Sequence, residues 1–302
     1  MMVANKLKGI FYAGVSSSTF GLAPFFTLSL IYAGYSSFEA LSYRWGVATV
    51  FLVLIGLFQG VDFRISRKDF VVLFCLSLFR ATTSFSLVIA YQNIATGVAS
   101  VIHFLYPLAV ALAMMIFFKE PRSKAVISAV ALSIVGALFL SFGDIDSPSG
   151  GDALLGIVCA VVSVFSYAGY IVGVRKTRAV DLPSVPLTCY VMGFGAILFI
   201  IGGIFTGGVR LETDPHLWLY IAGLSLVATA ISNISLVKGI KYAGPTLTSI
   251  LGAMEPLTAM LLGIVAFGEG FSWQGGAGVA LILSSVFIVV SREQRHRKDD
   301  SE

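Results

Sequence analysis

The sequence has 302 residues, of which 57% are hydrophobic and only 12% charged, with a net charge of +4 at pH 7 and a mean hydropathy of +0.91. A soluble domain carries about 25% charged and about 45–50% apolar residues, so a water-soluble globular fold is excluded. Cys75, Cys159 and Cys189 lie in apolar runs without a CxxC or Cys/His cluster, so neither a disulfide framework nor a thiolate metal site is expected.

Apolar runs of about twenty residues, enough to cross a hydrocarbon core of about 30 Å as helices, recur along the whole chain. The first, at about 9–32, follows Lys6 and Lys8 and invites comparison with a cleaved signal peptide. It is too long for a signal h-region and lacks a small-residue cleavage site, so it is taken as a true span. Helical spacing puts its Ser17, Phe20, Gly21 and Pro24 on one stripe. Span 2, at about 38–59, holds Arg44, close enough to the outer boundary to snorkel toward Glu39 or the headgroups. Span 3 (70–90) aligns Arg80, Thr83, Ser84 and Tyr91, and span 4 (97–118) aligns Ser100, His103 and Pro107. After span 5 (123–142) comes an acidic junction with Gly, Ser and Pro, 143–152, which reads as a linker. Span 6 (153–174) offers Ser163, Ser166, Tyr167 and Tyr170. Span 7 covers 184–206; span 8 (216–237) offers Ser225, Thr229, Ser232 and Asn233. Span 9 (246–267) offers Thr248, Gly252 and Glu255, and span 10 covers 272–291, followed by a tail at 292–302. Spans 5, 7 and 10 carry scattered hydroxyls and many small residues, as peripheral packing helices do.

The ten spans fall into two sets of five. Ser100, Pro107 and Glu120 recur as Ser249, Pro256 and Glu269 at a constant offset of 149, which points to duplication. Each proline lacks an N–H and clashes with the carbonyl four residues earlier, so Pro107 and Pro256 interrupt their helices symmetrically. Such interruptions are tolerated only where protein or water satisfies the freed carbonyls, and they point to a site between the halves.

Of the 20 basic residues, all but Arg44, Arg80 and Arg210 fall on alternate connections or at the two ends. By the positive-inside rule both ends are cytoplasmic. Five spans per half is an odd number, so the second half enters from the opposite side and the repeat is inverted. The expected architecture is an all-α membrane protein of ten transmembrane helices, as two inverted five-helix repeats at 9–142 and 153–291 with a cytoplasmic tail at 292–302. Because the positive charge is spent on orientation, it implies no nucleic-acid partner; the lipid bilayer is the expected one.

On these features the chain resembles the drug/metabolite transporter superfamily, EamA type. The resemblance covers nearly the whole chain. It rests on Arg44 within Tyr43-Arg44-Trp45, the Ala90-Tyr91-Gln92-Asn93 step, the Pro107-to-Glu120 block, and Glu255-Pro256 running to Glu269. Such a likeness implies a multi-pass transporter of a bacterial cell membrane, without cofactor, exporting amino acids or other small metabolites. Sugar-phosphate and nucleotide-sugar exchangers are more distant members. Tyr106 departs from the second half, where Glu255 occupies the repeat position, and Arg80 and His103 match no family-wide motif.

Ionisable residues within a bilayer cost about 2.5–3.5 kcal/mol on insertion scales, and so call for a role. Six helices, spans 1, 3, 4, 6, 8 and 9, have a wettable face and are placed around a central cavity. Its expected substrate contacts are Phe20, Arg80, Ser84, His103, Tyr106, Tyr167, Tyr170 and Asn233, with Glu255 as the coupling residue. Arg80 suits an anionic group, since a planar donor fork captures a carboxylate bidentately. The bland alternatives are an Arg80–Glu255 salt bridge, a His103 bonded to backbone, and tyrosines that merely pack. Catalysis has little support: Ser100 and His103 share one helix, no GxSxG occurs, and three histidines with one deep glutamate are too few for a metal hydrolase. A channel or scaffold stays as the alternative to a secondary transporter, without a filter loop or charge ring to favour it. A homodimer stays open, the Gly169/Gly173 and Gly203/Gly207 spacings reading as packing.

Overall fold

A computed structural model describes residues 2–94, 96–120, 124–140, 151–255, 257, 258, 261 and 273–299. Among them the chain is all-helical. In order the helices are α1 (Met2–Phe20), α2 (Ala23–Tyr32), α3 (Ser37–Phe58), α4 (Arg67–Asn93), α5 (Thr96–His103), α6 (Tyr106–Phe117) and α7 (Lys124–Leu140). The second half follows with α8 (Ala153–Lys176), α9 (Ser184–Phe205), α10 (Pro215–Ala222), a π-helical stretch Gly223–Ile231, α11 (Ser232–Ala243), α12 (Pro245–Leu251) and a last helix, here α13, Trp273–Asp299.

Seven helical segments are long and apolar enough to cross a membrane, and Lys124–Gly136 and Gly276–Ile288 are shorter apolar helices. The remaining expected span, 246–267, is described at 246–255, 257, 258 and 261, while Pro256, Glu269 and most of the junction at 143–152 lie outside the described residues. The outer surface is apolar, with Phe58, Phe117, Phe165, Ile204 and Phe205 among its exposed side chains. A rim of that kind suits lipid rather than water.

The most extensive helix contacts exchange one half for the other. α4 packs on α8 and α1 on α11, which are spans 3 with 6 and 1 with 8, while α3 packs on α9 and α7 on α13. Swapping the five-span halves maps this set of pairs onto itself, which fits a two-repeat architecture. Lipid supplies no hydrophobic drive between helices, so close packing must hold them together. Glycine supplies the room: a Cβ at Gly195 would overlap the Trp45 ring across α3 and α9, and one at Gly169 would press on Phe79 across α4 and α8. The Gly169/Gly173 spacing therefore serves packing within the chain, Gly173 facing Leu76.

Hydrogen bonds repeat the symmetry. Tyr43 on α3 donates to the carbonyl of Arg210 at 2.6 Å, and Tyr190 on α9 donates to that of Phe63 at 2.7 Å. Both donor and acceptor are displaced by the same 147 positions, so each half ties down the other's second interhelical loop. α3 and α4 each start with a capping box, Ser36 with Glu39 and Ser66 with Asp69. The capping carboxylates also hold arginines of the other half: Glu39 with Arg210 at 3.5 Å and Asp69 with Arg178 at 3.0 Å.

Helix interruptions mark the middle of the molecule. α5 gives way to α6 at Phe104-Leu105, where Leu105 N–H reaches back only to the Ile102 carbonyl, 3.1 Å, just ahead of Pro107. α12 ends at Gly252-Ala253 in the corresponding way, Ala253 N–H meeting the Ile250 carbonyl at 3.1 Å. A third break, at Gly21-Leu22, precedes Pro24 between α1 and α2. At the end of α12 a glycine is required: the Tyr106 hydroxyl occupies the space a Cβ at Gly252 would fill. The two breaks thus meet at the interface of the halves.

Candidate functional site

Arg80 is the centre of this region. It projects from α4, is 1% exposed, and stacks its guanidinium over three rings: Tyr167 at 4.9 Å, Phe20 at 5.0 Å and Tyr170 at 5.8 Å from the ring centres. Cation–π contacts of this kind stabilise a desolvated arginine without neutralising it. Its Nε donates to Asn233 Oδ1 at 3.1 Å, whereas its Nη1 has no hydrogen-bond partner. A buried donor left open is costly, and such a group is explained when a ligand or water supplies the acceptor.

The π-helical stretch positions the partners. Thr229 bonds the Leu224 carbonyl five residues back, at 2.7 Å, and accepts Arg44 Nε at 2.8 Å. One turn on, Asn233 donates Nδ2 to the Thr229 carbonyl at 2.7 Å, which turns its Oδ1 toward Arg80. A single helix face therefore aims two arginines. Ser225 and Ser232 of the same stripe bond the carbonyls of Tyr43 and Ser16, at 3.2 and 3.0 Å, and tie it to α3 and α1.

Arg44 differs from the sequence expectation. It does not snorkel toward Glu39, which is taken by Arg210; it is 5% exposed, faces inward and lies 5.3 Å from the Phe20 ring centre. Together with Phe20, Pro24, Thr27, Ser84 and Tyr91 it lines a narrow pocket. Arg44 and Thr229 thus join the site; the signal available in the sequence was the polar stripe of span 8 and the charge at Arg44 itself.

His103 lies beside this group, stacked on Tyr167 with centres 5.4 Å apart, and Tyr106 meets Tyr167 edge-on at 4.6 Å. Ser163 gives its hydroxyl proton to the Ala160 carbonyl at 2.5 Å, so the 2.8 Å bond to His103 is donated by the ring's Nδ1–H. Nε2 is buried and has no partner. Ser84 Oγ, Tyr170 Oη and Thr248 Oγ1 are buried and equally open. His103 is therefore bonded to a side chain rather than to backbone.

Glu255 follows the α12 break and is half-buried; its backbone lies against Gly21, next to Phe20. Among the described residues no ion pair within 4.0 Å joins it to Arg80. Pro107 opens the first turn of α6, and Pro256 is outside the described residues. Phe20, Arg80, Tyr167, Tyr170 and Asn233 are in direct contact, Ser84 shares the pocket with Phe20, and His103 and Tyr106 flank Tyr167. Among the described residues no cluster of His, Cys, Asp and Glu could hold a metal.

Comparison with known proteins places this arrangement in context. The model of the EamA-like transporter family matches residues 7–142 and again 154–291. An inner membrane transporter of Salmonella typhimurium, YicL, is 28% identical over 236 residues, covering 77% of this chain and 76% of its own. A transporter of Archaeoglobus fulgidus is 28% identical, covering 70% and 74%, and a UDP-galactose/UDP-glucose transporter of Arabidopsis thaliana is 27% identical, covering 70% and 65%. A solved crystal structure superposes with a TM-score of 0.80 over 98% of this chain and 99% of that one, at 19% identity, which is a likeness of fold.

Proposed function

Because the chain belongs to the EamA-like transporter family, we propose that it is a secondary transporter, an exporter of a small carboxylated metabolite of the amino-acid type, held in the cell membrane as ten helices with both ends cytoplasmic. The observation that carries this reading is the buried Arg80, with one terminal nitrogen unpartnered at the meeting point of the two halves. Arg80 anchors the carboxylate, Asn233 orients it, and Ser84, His103 and Tyr106 offer polar contacts. Phe20, Tyr167 and Tyr170 flank the side chain of the substrate. Pro107 and Pro256 supply the helix breaks about which the halves rock.

Glu255 couples transport to protons in this scheme. It is free of a direct ion pair with Arg80, so its charge can respond as the cavity turns from one side to the other. A carboxylate arriving on Arg80 draws the arginine's field away from Glu255 and favours its protonation, linking the two events. Uptake into proteoliposomes across a panel of carboxylated metabolites tests the reading. Glu255→Gln should abolish flux driven by a pH gradient while substrate exchange between the two sides continues. Unchanged pH dependence in that variant would leave facilitated diffusion in its place.

A further inference from the structure

Arg44 has no part in the reading above, yet it stacks on the same Phe20 ring as Arg80. Its Nε is held by Thr229, and among the described residues no carboxylate lies within 4.0 Å of its guanidinium. It is 5% exposed and lines the pocket beside Ser84 and Tyr91. A guanidinium kept there with no carboxylate in contact is expensive, the more so with a second arginine nearby. Both are fixed by one helix face, through Thr229 and Asn233.

Distances set the scale. The guanidinium carbons of Arg44 and Arg80 lie 5.3 and 5.0 Å from the centre of the same Phe20 ring, so the sum, about 10 Å, is the greatest separation they can have. A bidentate pair puts a carboxylate carbon about 4 Å from its guanidinium carbon. Two carboxylates joined by two or three methylenes are about 4–5 Å apart. Such a chain can reach both arginines while lying along Phe20.

We propose that Arg44 and Arg80 form a two-point anion clamp, and that the ligand of this site is a short molecule with two anionic groups, such as a dicarboxylate. This rests on the assignment of Arg80 as a carboxylate anchor. Monocarboxylates would engage Arg80 alone and leave Arg44 open.

Calorimetric binding of glutarate and of its monoamide, glutaramate, to the purified full-length protein tests the clamp. The wild type should bind glutarate at least tenfold more tightly, and Arg44→Gln should collapse that preference to within twofold. Arg44→Lys, which keeps the charge and loses the fork, should retain part of the preference and serves where Arg44→Gln does not fold. Equal binding of the two acids by the wild type, or a preference untouched in both variants, overturns the clamp and leaves the Arg80 anchor standing. Binding of neither acid to the wild type removes the anchor and the clamp together.

Discussion

Asn233 holds Arg80 by a single bond from Nε, and its amide is in turn locked to the Thr229 carbonyl. Removing it frees a guanidinium whose orientation depends on that bond. A hydrogen bond to a charged group contributes about 1.5–3 kcal/mol, so Asn233→Ala should weaken carboxylate binding about tenfold or more. Titration calorimetry, with thermal unfolding as a fold control, checks it; binding within twofold of wild type would show that the three rings alone position Arg80. Arg80, Asn233 and the tyrosines were legible because intramembrane polar groups stand out against an apolar chain and fall on helical stripes. Arg44 was misread because Glu39, five positions away in the sequence, offered it a partner. Only the fold reveals that Arg210, from the other half, takes that carboxylate first.

Helix breaks were predicted from the prolines and found one turn earlier, at Phe104-Leu105 ahead of Pro107, because proline disturbs the turn that precedes it. The π-helical stretch had no such marker. It contains no proline, and its function is visible only in the five-residue reach of Thr229 to Leu224. Small residues were legible as packing residues, though not their partners. Gly195 faces the Trp45 ring with no space for a methyl group, whereas Gly46 of α3 faces open space. Gly195→Ala should therefore cost about 1–3 kcal/mol, as overpacking does, while Gly46→Ala should be neutral or stabilising. Melting temperatures in detergent separate the two; equal shifts would mean that α3 and α9 are packed less tightly than the Trp45 contact implies.

The symmetric pairing of helices across the halves and the paired Tyr43 and Tyr190 tethers extend what the repeated Ser-Pro-Glu block announced. The block located the duplication, and the alternation of basic residues supplies the proposed orientation. With Cys75, Cys159 and Cys189 replaced, a cysteine at position 147 should react with an impermeant thiol reagent from outside and one at position 64 only from inside. The reverse pattern would invert the topology.

At the centre of the account stands Arg80, and flux through the whole molecule tests it most directly. Proteoliposomes carrying wild-type protein should show saturable counterflow of a carboxylated substrate, and Arg80→Lys, which keeps the charge but not the planar fork, should lose at least tenfold of it. Full counterflow by a correctly folded Arg80→Lys protein would contradict the assignment of Arg80 as the substrate anchor.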